Sequence, residues 1–177
     1  MSDFEEELVE EIESFDEIED EVSDLTTDVD FAVAAWHEDG RWTLAILPDP
    51  FNIAKIISRL KSQQTNGGSI ALIAIDEEFF ILIRVLGTHI SLFLSDATAA
   101  FDYEVAEELL DIADIPMPEE DEEPGPVGHL EILADLGMNG MEISALCDDE
   151  ELFPDEQLEA IAARLGFGEE FSELLDL

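Results

Sequence analysis

The chain has 177 residues, 46% of them hydrophobic, which suits one compact domain with appendages, or one domain plus a small helical subdomain, with enough apolar surface for a sizeable core. Forty-seven acidic residues face six basic ones, a formal net charge of −41, which argues against direct nucleic-acid binding because phosphate contacts need Lys and Arg to release counterions. The single cysteine, Cys147, rules out an intramolecular disulfide and a cysteine-rich zinc cluster.

A protein partner with a basic surface is the natural complement of such a charge; a solvated acidic surface or adaptation to high salt are the plainer readings. The N-terminus, MSDFEEELVEE, has neither a basic n-region nor an apolar h-region, so no signal peptide is expected. Asp76, Glu77, Glu78 and Arg84 interrupt the longest apolar runs, so no membrane span is expected and the expected location is cytoplasmic.

Residues 1–28 hold fourteen acidic residues and no basic ones, the composition of a disordered arm. Phe4, Leu8, Ile12, Phe15, Val22 and Leu25 nevertheless recur at helical multiples, so the arm either solubilises or folds against a partner. The α+β sheet domain is expected over 29–115. Residues 31–36 and 42–47 read as strands joined by a four-residue loop, His37-Glu38-Asp39-Gly40, and Pro48 and Pro50 stop the second strand.

Residues 51–63 read as a helix with Ile53, Ile56, Ile57 and Leu60 on its inner face. Its outer side carries Lys55, Arg59 and Lys61, half of all the basic residues, which either dock an acidic partner or balance the protein's own carboxylates.

Residues 69–75, 79–86 and 90–94 follow as three strands. The first is apolar on both faces, as a strand buried from both sides should be, while Ser91 and Phe93 suggest a more exposed face on the last. Arg84 lies inside an apolar strand and needs a partner if buried. Buried against a carboxylate it is scaffold; on an open sheet face it marks a partner site. A helix over 101–113 closes the domain, with Asp96 or Thr98 as its cap.

The order β-β-α-β-β-β-α, with short hairpins and one helical crossover, predicts a five-stranded, mostly antiparallel sheet covered by its helices. That order resembles the roadblock and longin scaffolds, which commonly serve as interaction platforms. Residues 116–128, with four prolines, two glycines and five consecutive acidic residues, read as an acidic linker. Beyond it, 129–177 forms a small helical region, marginal for folding alone. Its helices are expected over 129–136, from Asn139 (capping-box spacing to Glu142) to Cys147, from Pro154 to before Gly166, and over 169–175.

His129-Leu130-Glu131 matches the His-x-Glu half of the zinc deaminase signature, in which the His binds zinc and the Glu shuttles protons. The other half needs two thiolates, and one cysteine cannot supply them. His37 and His89 fall at expected turns and read as exposed loop histidines. The carboxylates Asp148, Asp149, Glu150 and Glu151 lack calcium-loop spacing, and Gly67-Gly68 precedes a strand and not a helix. Cys147, beside Ile143 and Leu146 and followed by acids, reads as structural. No enzyme activity, cofactor or metal is expected, and the candidate partner-binding residues are Lys55, Arg59, Lys61 and Arg84.

The segments FAVAAWHEDGRW, IALIAIDEEFFILIRV, FLSDATAA and IAARLGFGEEF resemble the actinobacterial tRNA adenosine deaminase-associated proteins, over about residues 30–177. The family name reflects genes beside that of the tRNA adenosine deaminase, which makes wobble inosine. The resemblance implies an accessory protein whose partner is that deaminase, with no catalytic residue to carry over. The alternative is an acidic nucleic-acid mimic that occupies a basic groove of another protein; a homo-oligomer is left open.

Overall fold

The structure, a computed structural model, describes residues 29–47, 52–63 and 67–175. The acidic arm over 1–28 and the strand-stopping Pro48 and Pro50 lie outside the described residues.

Short connections build most of the sheet. β1 (Val29–Glu38) and β2 (Arg41–Ile46) are joined by Asp39-Gly40, both at positive φ (53° and 78°), a mirror-image turn that matches the twist of paired strands. His37 and Glu38 therefore belong to β1, and the loop has two residues where four were expected. β3 (Ser69–Ile75), β4 (Phe79–Leu86) and β5 (His89–Leu94) follow as consecutive antiparallel hairpins. Only β2 to β3 steps over a strand. Helix α1 (Ile53–Lys61) makes that step, leaving β1 between them.

The sheet has six strands where five were expected, in the order β2-β1-β3-β4-β5-β6 and antiparallel throughout. The sixth, β6 (Val127–Gly128), comes from the acidic Pro-rich segment and pairs with Phe93 and Leu94. Gly128 has φ 112°, and a Cβ there would run into the Leu92 carbonyl, so only glycine lets the segment lie against β5. A bond from Ala97 N to Gly125 O at 2.8 Å ties the same segment down one step earlier.

Both faces of the sheet are buried. Ala71, Ile73 and Ile75 of β3 point into a core shared with α1 and with α2 (Glu104–Ala113). Ile70, Leu72 and Ala74 point into a second core, filled by α3 (Gly140–Cys147), α4 (Pro154–Leu165) and α5 (Gly168–Leu175). This explains why β3 and β4 read as continuous apolar runs: each fully buried Ile or Leu contributes roughly 1.5–3 kcal/mol on either face. It also overturns the more exposed face expected for β5, because Phe93 is fully buried under the C-terminal helices.

Local signals place the helices. Asn52 caps α1 by accepting from Lys55 N at 3.0 Å, and Ile53, Ile56, Ile57 and Leu60 face the core. Asn139 and Glu142 close a reciprocal capping box on α3, Pro154 opens α4, and Gly166 ends α4 at φ 105°. The helix expected over 129–136 is instead a series of turns with a short 3₁₀ segment, Ala134–Leu136. Its groups bond elsewhere: His129 Nδ1 lies 3.1 Å from Leu92 N, and Ile132 O accepts from Arg84 at 3.1 Å.

Candidate interaction surfaces

Arg84 is 4% exposed and lies on the sheet face covered by the C-terminal helices. Its guanidinium grips Asp135 with both prongs, Nη1 to Oδ1 at 2.5 Å and Nη2 to Oδ2 at 3.0 Å. The same nitrogens donate to Ile132 O at 3.1 Å and to Gly67 O at 3.0 Å. One side chain thus fastens two loops to β4. The hydrogen bond from Arg84 holds the Asp135 carboxyl below the usual carboxylate range, outweighing the opposing effect of its partial burial. A partner docking on this side meets the helical layer before it reaches Arg84.

The residues of the His-x-Glu match serve separate purposes. His129 Nδ1 accepts from the Leu92 amide at 3.1 Å at the sheet edge, and Glu131 Oε1 accepts from Gly140 N at 3.3 Å at the start of α3. His37 sits in β1, half-buried and stacked on Trp42 with ring centroids 4.6 Å apart, not in an exposed loop. His89 begins β5 and is exposed. Among the described residues, no three His, Cys, Asp or Glu side chains form a group able to hold a metal ion. Burial, reinforced by the Asp148 charge, pushes the Cys147 thiol up to about 12, so at neutral pH it stays protonated.

Lys55, Arg59 and Lys61 project from the exposed side of α1, away from the four residues it buries. The structure does not bring them together with Arg84, which lies on the opposite face of the sheet.

A surface the sequence did not single out lies at the other end of the molecule. The β3–β4 turn, the end of β5 and the loop after α3 converge on a cleft of about 200 Å³. Glu77, Glu78, Asp96, Asp148, Asp149 and Glu150 line it, and among the described residues its walls carry no Lys or Arg. Phe153 sits at the cleft and is 55% exposed. Asp76 and Glu77 take positive φ (53° and 55°), and Tyr103 Oη donates to Asp76 Oδ2 at 2.6 Å, which fixes the turn that carries Glu77 and Glu78. Burial and the neighbouring Asp76 raise the Tyr103 hydroxyl well above its ordinary value, so it remains a donor. Gln157 Nε2 donates to Leu146 O at 2.8 Å and joins α4 to the end of α3 beneath the cleft. The sequence signals were the acidic turn and the acidic run after Cys147; their convergence, across some seventy residues, is a tertiary fact.

The architecture is that of a strongly acidic α+β protein: one antiparallel sheet buried between two helical layers, with six of its carboxylates lining one cleft. A family model of Rv3753c-like tRNA adenosine deaminase-associated proteins matches residues 30–168. Protein Rv3753c of Mycobacterium tuberculosis is 35% identical over 151 residues, covering 82% of this chain and 87% of the relative. The chain belongs to the Rv3753c-like tRNA adenosine deaminase-associated family. No solved structure matches it. Among the described residues no helix is long and apolar enough to cross a membrane.

Proposed function

We propose that this chain is a non-catalytic accessory protein that binds a tRNA adenosine deaminase in the cytoplasm, with the acidic cleft as its contact. The observation that carries the proposal is the cleft itself: six carboxylates with no cation among them, beside an exposed Phe153. An enzyme that docks tRNA must present Lys and Arg to phosphates, and such a surface complements the cleft in charge. Phe153 supplies the aromatic anchor on which interfaces commonly depend. The family description, deaminase-associated, names the partner class. The element order expected from the sequence resembles that of roadblock and longin scaffolds, and that resemblance supports a platform role by analogy only.

The test is a binding titration between this protein and the tRNA adenosine deaminase of its own organism. Association at about 50 mM salt that weakens steeply towards 500 mM is expected, since exposed charge pairs are screened. The triple variant D148K/D149K/E150K is expected to weaken binding at least tenfold, about 1.4 kcal/mol, with the fold unchanged. No association at any salt would sink the proposal. Removing residues 1–28 separates it from the mimic reading, in which the arm itself enters a basic groove: binding survives in the first case and is lost in the second.

A further inference from the structure

The cleft holds a polar group that its carboxylates do not account for. Gln157 lines the cleft, is 7% exposed, and donates through Nε2 to Leu146 O at 2.8 Å. Its Oε1 accepts no hydrogen bond among the described residues. Arg84 Nε is the one sealed-off side-chain nitrogen or oxygen left without a partner there, so Gln157 Oε1 is reachable, and the cleft is the space that Gln157 lines. An amide oxygen nine-tenths buried, held in place by its own NH₂ group and given no donor, is set to accept one from a ligand.

Three carboxylates of the cleft are in the same condition. Glu78, Asp148 and Glu150 accept no hydrogen bond and pair with no cation among the described residues. Asp96 and Asp149 differ, because they accept from Thr98 N at 2.9 Å and from Glu151 N at 3.0 Å within their own loops.

Size and spacing decide what fits. No three of the described His, Cys, Asp or Glu side chains are grouped so as to hold a metal ion, so these carboxylates do not converge on a point charge. The cleft's volume of about 200 Å³ lies below the roughly 300–1,000 Å³ of sites for drug-sized molecules, which suits one long side chain. Leu152, Phe153 and Pro154 give its wall apolar surface for methylene groups. Phe153 stands one turn before Gln157, whose N donates to Phe153 O at 2.9 Å, and both side chains line the cleft. The backbone carrying the ring is fixed at the start of α4, where Phe153 N donates to Glu156 Oε1 at 2.9 Å.

We propose that the cleft is a receptor for one arginine side chain of a basic partner. Its guanidinium stacks on Phe153, donates to Gln157 Oε1, and is neutralised by the carboxylates of Glu78, Asp148 and Glu150. Arginine fits where lysine does not, because a guanidinium is planar, stacks on rings and carries five donors in a fixed fork, whereas an ammonium is a compact and strongly hydrated point charge. The assignment rests on the accessory reading for the partner's identity and adds what that partner must present.

The probe is Nα-acetyl-arginine amide, titrated into the full-length, isotope-labelled protein at about 50 mM salt and followed by nuclear magnetic resonance. Saturable shifts of the Gln157 side-chain amide and of the Leu152 and Phe153 backbone amides are expected, with Nα-acetyl-lysine amide binding at least threefold more weakly. Phe153→Ala changes an exposed side chain and should weaken the arginine derivative at least threefold while the rest of the spectrum stays unchanged. Shifts that spread over the acidic surface without saturating, equal binding of the two derivatives, or no effect of Phe153→Ala would overturn the assignment. This outcome is distinguishable from failure of the accessory role. Deaminase binding without a response to the arginine derivative removes the arginine receptor alone, and a saturable response without deaminase binding removes the accessory role alone.

Discussion

Arg84 shows how one side chain can organise loops that lie far apart in sequence. Burying a guanidinium is costly, and the cost is met by two bonds to Asp135 and one each to Ile132 O and Gly67 O. Its Nε is the one buried side-chain nitrogen or oxygen without a hydrogen-bond partner among the described residues, so the pair has little to spare. Asp135→Asn should therefore lower stability by about 2 kcal/mol in a denaturant titration. That is less than the 3–5 typical of a fully buried pair, because the Asp135 side chain is 57% exposed and water can reach it. The combined R84M/D135N variant should recover part of that loss, since no charge is then left buried. The pH dependence follows from the depressed Asp135 carboxyl: its contribution is complete above the ordinary value of 3.8 and is lost as pH falls through the lower folded value. Asp135→Asn should flatten that acid limb of a stability curve. The sequence marked Arg84 because a charge in an apolar strand must find a partner; it could not say which of forty-seven carboxylates that would be.

At the scale of elements, the strands and helices with strong periodicity were legible, and the elements stabilised by distant groups were not. β3 and β4 have the expected bounds because two apolar faces leave them no other environment. α3 and α4 begin where their capping residues stand, at Asn139 and Pro154. β6 had no such signal. Two residues in a Pro-rich acidic run carry no strand pattern, and what recruits them is the open edge of β5. Gly128→Ala tests this element. The added methyl meets the Leu92 carbonyl at a φ that L-residues avoid, so the β5–β6 pairing should open. Hydrogen exchange at Leu94 and His129 is expected to rise at least tenfold while α1 and β1 keep their protection; uniform loss of protection would mean that β6 holds the whole sheet.

For the whole molecule, the two cores are unequal in their independence. α1 and α2 are woven into the sheet by the β2–β3 crossover and by the strand order, whereas the second core depends on helices contributed after β6. A chain ending at residue 128 would expose Val33, Ile70, Leu72, Phe80, Leu82 and Phe93, all at most 1% exposed in the intact protein. A contiguous apolar face of that kind is an aggregation surface. The truncated chain should therefore be insoluble or bind hydrophobic dyes strongly, while the full chain does neither. If it stays soluble and cooperatively folded, the C-terminal helices are an attached layer and not part of one core.

The sequence by itself determined the acidic charge, the α+β class, the antiparallel hairpins and the near absence of cations, because these follow from composition, turn residues and local periodicity. It also carried the family resemblance, since that rests on the order of residues alone. Only the tertiary structure decided which helices cover each face of the sheet, that Arg84 is locked to Asp135, and that six carboxylates with Phe153 converge on one cleft. Those features join groups tens of residues apart. Their free energy comes from burial and pairing across the fold, and no local pattern along the chain records which distant group will be the partner.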